Sequence, residues 1–200
     1  YLYFRLTGAR VSDPCEASFS FGDFRTRSYA DRVLDALELG SLKRLLPPLV
    51  DGTVETHALT PEAARLTGLK PGTPVALGYL DAACTALGAG VYERRQGFGC
   101  TIVGSTGVHL RASAAGDVVL PPEPTGYVLV LPVPGQVAMM QTNMAGTLNL
   151  DWIMDIARDA ARDLGIAEPD PLAMLDTWLT RGDTTGLLYH PYISAAGERG

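Results

Sequence analysis

The chain has 200 residues, of which 46% are hydrophobic and 19% charged, with a formal net charge of −6. That size supports one good core or two modest ones, and the acidic balance argues against a nucleic-acid partner. The longest apolar runs, such as Val128 to Pro134, are far too short to span a bilayer, and no N-terminal signal pattern stands out.

Tyr1 to Leu6 reads as the end of a helix stopped by Gly8. Val11 to Phe24 reads as a polar loop, opening on Ser12-Asp13-Pro14-Cys15-Glu16 and leading into an aromatic-rich piece. Ser28 or Asp31 is a candidate cap for a helix to about Leu39, since Val33, Leu34, Leu37 and Leu39 fall near one face. Leu42 to Leu46 makes a further turn, ended by Pro47 and Pro48. Val54 to Leu59 alternates weakly, as a short strand does.

Thr60 and Pro61 are a cap and first helical position for a helix to Thr67, closed by Gly68. Gly72 to Leu80 has the pattern of a buried strand bounded by Gly and Pro. The alanine- and glycine-rich stretch from Ala82 to Ala89 predicts a helix packed closely on something. Cys100–Val103 and Val108–Arg111 read as strands around a Gly104-Ser105-Thr106-Gly107 turn, and Tyr127–Leu131 and Val137–Met140 as further strands. Thr147 to Leu164 is an amphipathic helix with Leu150, Ile153, Met154, Ala157 and Ala161 on its inner face. A shorter helix over Pro171–Leu179 and a strand over Leu187–Ile193 complete the α/β class. The best domain boundary falls at Glu93–Gly97.

Cys15, Cys84 and Cys100 match no zinc or redox spacing and read as reduced, mostly buried thiols of a cytoplasmic protein. His57, His109 and His190 give no metal-ligand spacing. His57 reads as a surface residue and His190 as a packed one, while His109, directly after the glycine turn, is placed to touch a substrate.

Asp81 carries the chemistry. It follows an apolar strand and precedes a helix, where an aspartate can take the proton of a hydroxyl attacking phosphorus. The same position suits a helix cap, and one aspartate can serve both roles. Gly104 to Gly107 lies between strands and lacks the lysine and following helix of a Walker loop. It is either a hairpin turn or a loop whose amides and Ser105 and Thr106 hydroxyls receive phosphate. Asp13 and Glu16 form a polar rim for a polyhydroxylated ligand, or a capped, solvated loop. Gly88-Ala89-Gly90 reads first as close packing. Gln141, Asn143 and Asn149 can bind hydroxyls or phosphate, or serve as caps.

The order of these motifs resembles the FGGY carbohydrate kinases, the group of xylulokinase, ribulokinase and glycerol kinase. Residues 1–8 with Ser12–Ser18 resemble the family's "LTG" and "TD-S-AS" passage. Gly78–Asp81 with Gly88–Gly90 resembles "GGGD…GAG", and Gly104–Gly107 stands where the family has "GTSG". Asn143–Trp152 resembles a helix start ending "LDW", while Pro191–Ser194 with Gly197–Arg199 resembles "PYLSGER".

The resemblance implies an actin-like, ribonuclease-H-like pair of domains closing over ATP, Mg²⁺ and a sugar. It implies the end of the N-terminal domain over 1–96 and the start of the C-terminal domain over 97–200. Asp81 falls on the catalytic base, and Gly104, Ser105, Thr106 and Gly107 on the ATP phosphate loop; Asp81, with Asp13 and His109 by their own positions, is expected to line the substrate site. The expected activity is phosphorylation of a ketose, first a pentulose, with erythritol or glycerol behind. The alternative is a non-catalytic sugar-binding or regulatory relative. A homodimer is compatible with either. The chain begins without methionine, in periodic sequence, and reads as an internal segment. The family's "DxGT" motif is then expected upstream and its adenosine site downstream, so the segment alone is expected to be inactive.

Overall fold

Local capping sets the first half of the molecule. In a computed structural model, which describes residues 1–92, 99–123, 125–144, 146–167, 170–182 and 186, helix α1 (Leu2–Thr7) ends on Gly8. That glycine has φ 76° and returns its N–H to the Phe4 carbonyl, as a left-handed cap requires. Helix α4 (Pro61–Thr67) starts as its sequence demands: the Thr60 hydroxyl accepts from the Ala63 amide, and Gly68 closes the far end at φ 76°.

Between them the chain departs from expectation. Residues 14–21 are not a loop but helix α2 (Pro14–Phe21), with Asp13 as its N-cap and proline in its first turn. The Asp-Pro pair is the same start signal as Thr60-Pro61, read correctly there and missed here. Short strands β1 (Gly22–Asp23) and β2 (Ser28–Tyr29) pair, then α3 (Asp31–Ala36) and a 3₁₀ turn (Gly40–Leu45) follow. Helix α3 ends three residues before Leu39, at a point where Glu38 takes a positive φ of 59°.

Strands β3 (Thr56–Ala58) and β4 (Pro74–Ala76) form an antiparallel ribbon. The predicted buried strand over 72–80 is thus three residues long, exposed at Pro74 and Ala76, and 77–80 carries no regular structure. Helix α5 (Asp81–Gly88) follows and buries Ala83 and Ala86 completely, which bears out a closely packed small-residue helix. Gly88 itself is exposed, and a Cβ there would meet nothing within 4 Å, so close packing does not explain that glycine.

Strands β5 (Cys100–Val103), β6 (Gly107–Ala114), β7 (Tyr127–Val130) and β8 (Gln136–Asn143) form a sheet in the order β5-β6-β8-β7. Strands β7 and β8 run antiparallel, with Val128 opposite Met139 and Val130 opposite Val137. Helices α6 (Thr147–Asp163) and α7 (Pro171–Arg181) complete the described elements.

The chain divides into two compact units. The first comprises Tyr1–Cys100 and Leu110–Met140; the second comprises the described residues of Thr101–His109 and Gln141–Gly200. In the first unit, α2 packs on β7, so that Cys15, Leu129, Val130, Leu131 and Ala138 are wholly buried. Leu59, Ala63 and Ala64 form a separate cluster with Leu6 and Val75 against them. In the second unit, α6 buries Met154, Ala161 and Asn149, whereas Ile153, expected inside, is 46% exposed. The expected boundary at Glu93–Gly97, the strand at Leu187–Ile193, His190 and the Pro191–Arg199 motif lie outside the described residues.

Candidate functional site

Asp81 is the first residue of α5, after Leu80 at the cap position. Its side chain is exposed, and its Oδ1 accepts from the Ala82 amide at 2.6 Å. It therefore sits at the positive end of a helix, as a cap would, with its carboxylate open to solvent. Three residues earlier, a Cβ on Gly78 would meet nothing within 4 Å, and its φ is not positive. The residues around this glycine do not require it, and the space beside it is open.

The carboxylate of Asp13 is differently placed. It is 7% exposed, and its Oδ1 accepts from the amides of Cys15 at 2.8 Å and Glu16 at 3.1 Å. The polar rim expected here is thus a buried helix cap. Burial raises the Asp13 carboxyl above its ordinary value, against the pull of those amides. Cys15 next to it is wholly buried, and burial lifts its thiol to about 12. That thiol faces the backbone of Val130 and Leu80, which brings the start of α2 against the residue that caps α5. Cys84 is exposed, contrary to the expectation of mostly buried thiols. His57 is likewise no free surface residue, because the Tyr3 hydroxyl bonds its Nδ1 at 2.9 Å.

Sequence reasoning missed a group around Tyr79. Arg27 donates to the Tyr79 hydroxyl at 3.0 Å, to the Leu131 carbonyl at 3.0 Å, and lies 3.7 Å from the Asp51 carboxylate. Asp51 also accepts the Thr53 amide and hydroxyl. Burial raises the Asp51 carboxyl, but hydrogen bonds from Thr53 and Tyr79 and the Arg27 charge outweigh it, leaving it below the ordinary value. Burial, with Asp51 accepting from the Tyr79 hydroxyl, pushes that phenol upward despite Arg27. Arg27, Asp51 and Tyr79 lie 24 to 52 positions apart, and no local pattern announces them.

The second unit holds the glycine turn. Ser105 and Thr106 are exposed, and Gly107 is buried. Two of the turn's amides are already used: Gly104 N–H donates to the Thr106 carbonyl at 3.0 Å and Gly107 N–H to Asn143 Oδ1 at 3.3 Å. The turn's carbonyls in turn receive the head of α6, with Gly146 N–H donating to Ser105 at 2.9 Å and Thr147 N–H to Gly104 at 2.8 Å. A Cβ on Gly146 would come within 2.3 Å of the Gly104 carbonyl, so only glycine permits this approach. The Ser105 and Thr106 hydroxyls thus stand exposed on a loop fastened to the head of α6.

His109 belongs to the same group. Asn143 Nδ2 donates to its Nε2 at 3.3 Å, which leaves Nδ1 as the ring's donor to Thr101 Oγ1, 3.1 Å away. Among the described residues, no three His, Cys, Asp or Glu side chains gather as a metal site, and no helix is long and apolar enough to cross a membrane. Asp13 and Asp81 lie in the first unit; Gly104–Gly107 and His109 lie in the second.

Known proteins resemble this chain closely. Residues 1–88 match the model of the FGGY family of carbohydrate kinases, N-terminal domain. The chain is 51% identical over 202 residues to erythritol kinase of Brucella abortus (strain 2308), covering 100% of the chain and 39% of that protein. It is 29% identical over 153 residues to xylulose kinase of Escherichia coli (strain K12), covering 76% of the chain and 30% of that protein. Among solved structures, xylulose kinase from Rhodospirillum rubrum matches with a TM-score of 0.68 at 27% identity, over 90% of this chain and 35% of that one. Gluconate kinase from Lactobacillus acidophilus matches with a TM-score of 0.75 at 22% identity, over 100% of this chain and 38% of that one. The chain spans well under half the length of each of these relatives.

Proposed function

The chain belongs to the FGGY family of carbohydrate kinases and carries part of its actin-like ATPase fold, and from that premise we propose that the protein phosphorylates a polyol with ATP. Asp81 is the general base. It takes the proton of the substrate hydroxyl as the oxygen attacks the γ-phosphorus. The observation that carries this assignment is an exposed carboxylate at the head of α5, beside a glycine with open space around it. A small polyhydroxylated molecule can approach the backbone at Gly78 and present a hydroxyl to Asp81.

Ser105 and Thr106 hold the transferred phosphate by their hydroxyls, with Gly104 and Gly107 shaping the loop. The Gly104 and Gly107 amides have protein partners, as do the Gly146 and Thr147 amides at the head of α6, so the two hydroxyls supply the polarity. Mg²⁺ carried in with ATP would be held mainly by phosphate oxygens and water. When bound, it would supply charge neutralisation on the phosphates. Asp13 acts on the substrate side by fixing the start of α2, and His109 by fixing Asn143 beside the loop. The family's domain division falls between residues 96 and 97.

For the substrate, 51% identity along the whole chain to an erythritol kinase favours a four-carbon polyol over a pentulose. Full-length protein supplied with ATP and, in turn, erythritol, glycerol, xylulose and ribulose will release ADP fastest with erythritol. A faster reaction with either ketose would overturn the polyol assignment. No acceptor-dependent ADP release at all would favour a non-catalytic sugar-binding relative.

A further inference from the structure

Residues 77–79 lead towards Asp81 outside any helix or strand, and Leu80 accepts the first helical bond of α5 from the Cys84 amide at 3.0 Å, so each side of this segment is fastened. A Cβ on Gly52 would fall 1.9 Å from the Leu77 carbonyl oxygen, so the 51–53 turn lies directly on Leu77. The Tyr79 carbonyl accepts from the Cys84 thiol at 3.4 Å, and the Leu80 backbone meets the Cys15 thiol. The Tyr79 side chain reaches Arg27 and Asp51.

Arg27 joins these parts. Its guanidinium donates to the carbonyls of Leu131 and Val133, at 3.0 and 3.4 Å, immediately after the buried strand β7. It also donates to Tyr79, two residues before Asp81, and faces Asp51. Its backbone adopts φ 55°, a left-handed conformation that is unfavourable for a non-glycine residue. Strain of that kind persists where the surroundings hold it in place.

We propose that Arg27 is a positioning residue for the phosphoryl-transfer step: through Tyr79 and Asp51 it ties the Asp81-bearing segment to the rigid end of β7. The inference rests on the assignment of Asp81 as the base. A base moved by a fraction of an ångström loses much of its advantage, because proton transfer depends on near-attack geometry. Arg27 does not touch substrate in this scheme; it acts through Tyr79.

The test uses full-length protein and the ratio of erythritol-dependent phosphorylation to ATP hydrolysis without erythritol. Loss of folded enzyme lowers both rates together and leaves the ratio unchanged. A displaced base lowers only transfer to the polyol. Arg27→Met and Tyr79→Phe are each expected to lower the ratio about tenfold, with Arg27→Lys intermediate. The double variant should be no worse than either single one, as expected of residues acting through one contact. Tyr79→Phe removes one oxygen and keeps the inference testable should Arg27→Met fail to fold. If Asp81→Asn abolishes transfer while both Tyr79→Phe and the soluble Arg27 variants keep the parental ratio, the positioning role is wrong and the base stands. If Asp81→Asn itself keeps the ratio, the base assignment falls and this inference with it.

Discussion

Replacing Asp13 with alanine removes the acceptor of two hydrogen bonds from the start of α2. Its one oxygen satisfies the amides of Cys15 and Glu16, at 2.8 and 3.1 Å, and the residue is 7% exposed. Loss of an N-cap costs about 1 kcal/mol and reaches about 2, and here water has poor access to the released amides. Removal of a buried carboxyl returns part of that, since burial already raises this group above its ordinary 3.8. The expected net cost is about 1–2 kcal/mol, or about tenfold faster local opening. Hydrogen exchange on peptides covering residues 13–21 of the full-length protein reads it directly.

Asp13→Asn keeps a capping oxygen and should cost less than about 0.5 kcal/mol. The sign of its pH effect follows from the raised value. The native carboxyl holds its proton where the unfolded chain has released it, so this contribution is complete below 3.8 and is lost as pH rises through the native value. The asparagine variant lacks that slope. Equal protection in the alanine variant and the parent, or equal losses for alanine and asparagine, would refute the capping argument.

Gly146→Ala forces a methyl group to within 2.3 Å of the Gly104 carbonyl, so the Ser105–Thr106 loop must shift. The expected result is a KM for ATP raised at least about fivefold with fold retained, and an unchanged KM would oppose a phosphate role for the loop. At pH 8 an alkylating reagent should modify exposed Cys84 while leaving wholly buried Cys15 intact until the protein unfolds, as peptide mass mapping can follow. Because the unfolded thiol ionises near 9 and the native one near 12, the Cys15 contribution to stability is lost as pH rises across that interval. Early labelling of Cys15 would contradict its burial.

What could be read in advance follows the range of the forces involved. Helix α4 is specified by Thr60, Pro61 and Gly68 within nine residues, and the Gly104–Gly107 turn by its own glycines between two strands. Helix α2 had an equivalent Asp-Pro start, but its serines and small residues gave no apolar stripe to extend it. Residues 72–80 misled for the opposite reason. They are apolar enough for a buried strand, yet only Pro74–Ala76 is paired as a strand, and Pro74 and Ala76 stay exposed. Ile153 has the helical spacing of an inner residue, but what covers a helix face is decided by tertiary packing. The Asp81 position and the turn were visible as motifs. The fastening of Tyr79 by Arg27 and Asp51 was not, since it joins residues from three separate stretches of chain.

The central claim is that Asp81 accepts the substrate proton. Asp81→Asn in the full-length protein, assayed for phosphoryl transfer from ATP to erythritol and for polyol binding by calorimetry, tests it most directly. A general base contributes about 10²–10⁴-fold. Turnover should fall by about that factor, while polyol affinity, which the near-isosteric amide preserves, should stay within about threefold. Turnover within about fivefold of the parent would contradict the assignment of Asp81 as the base.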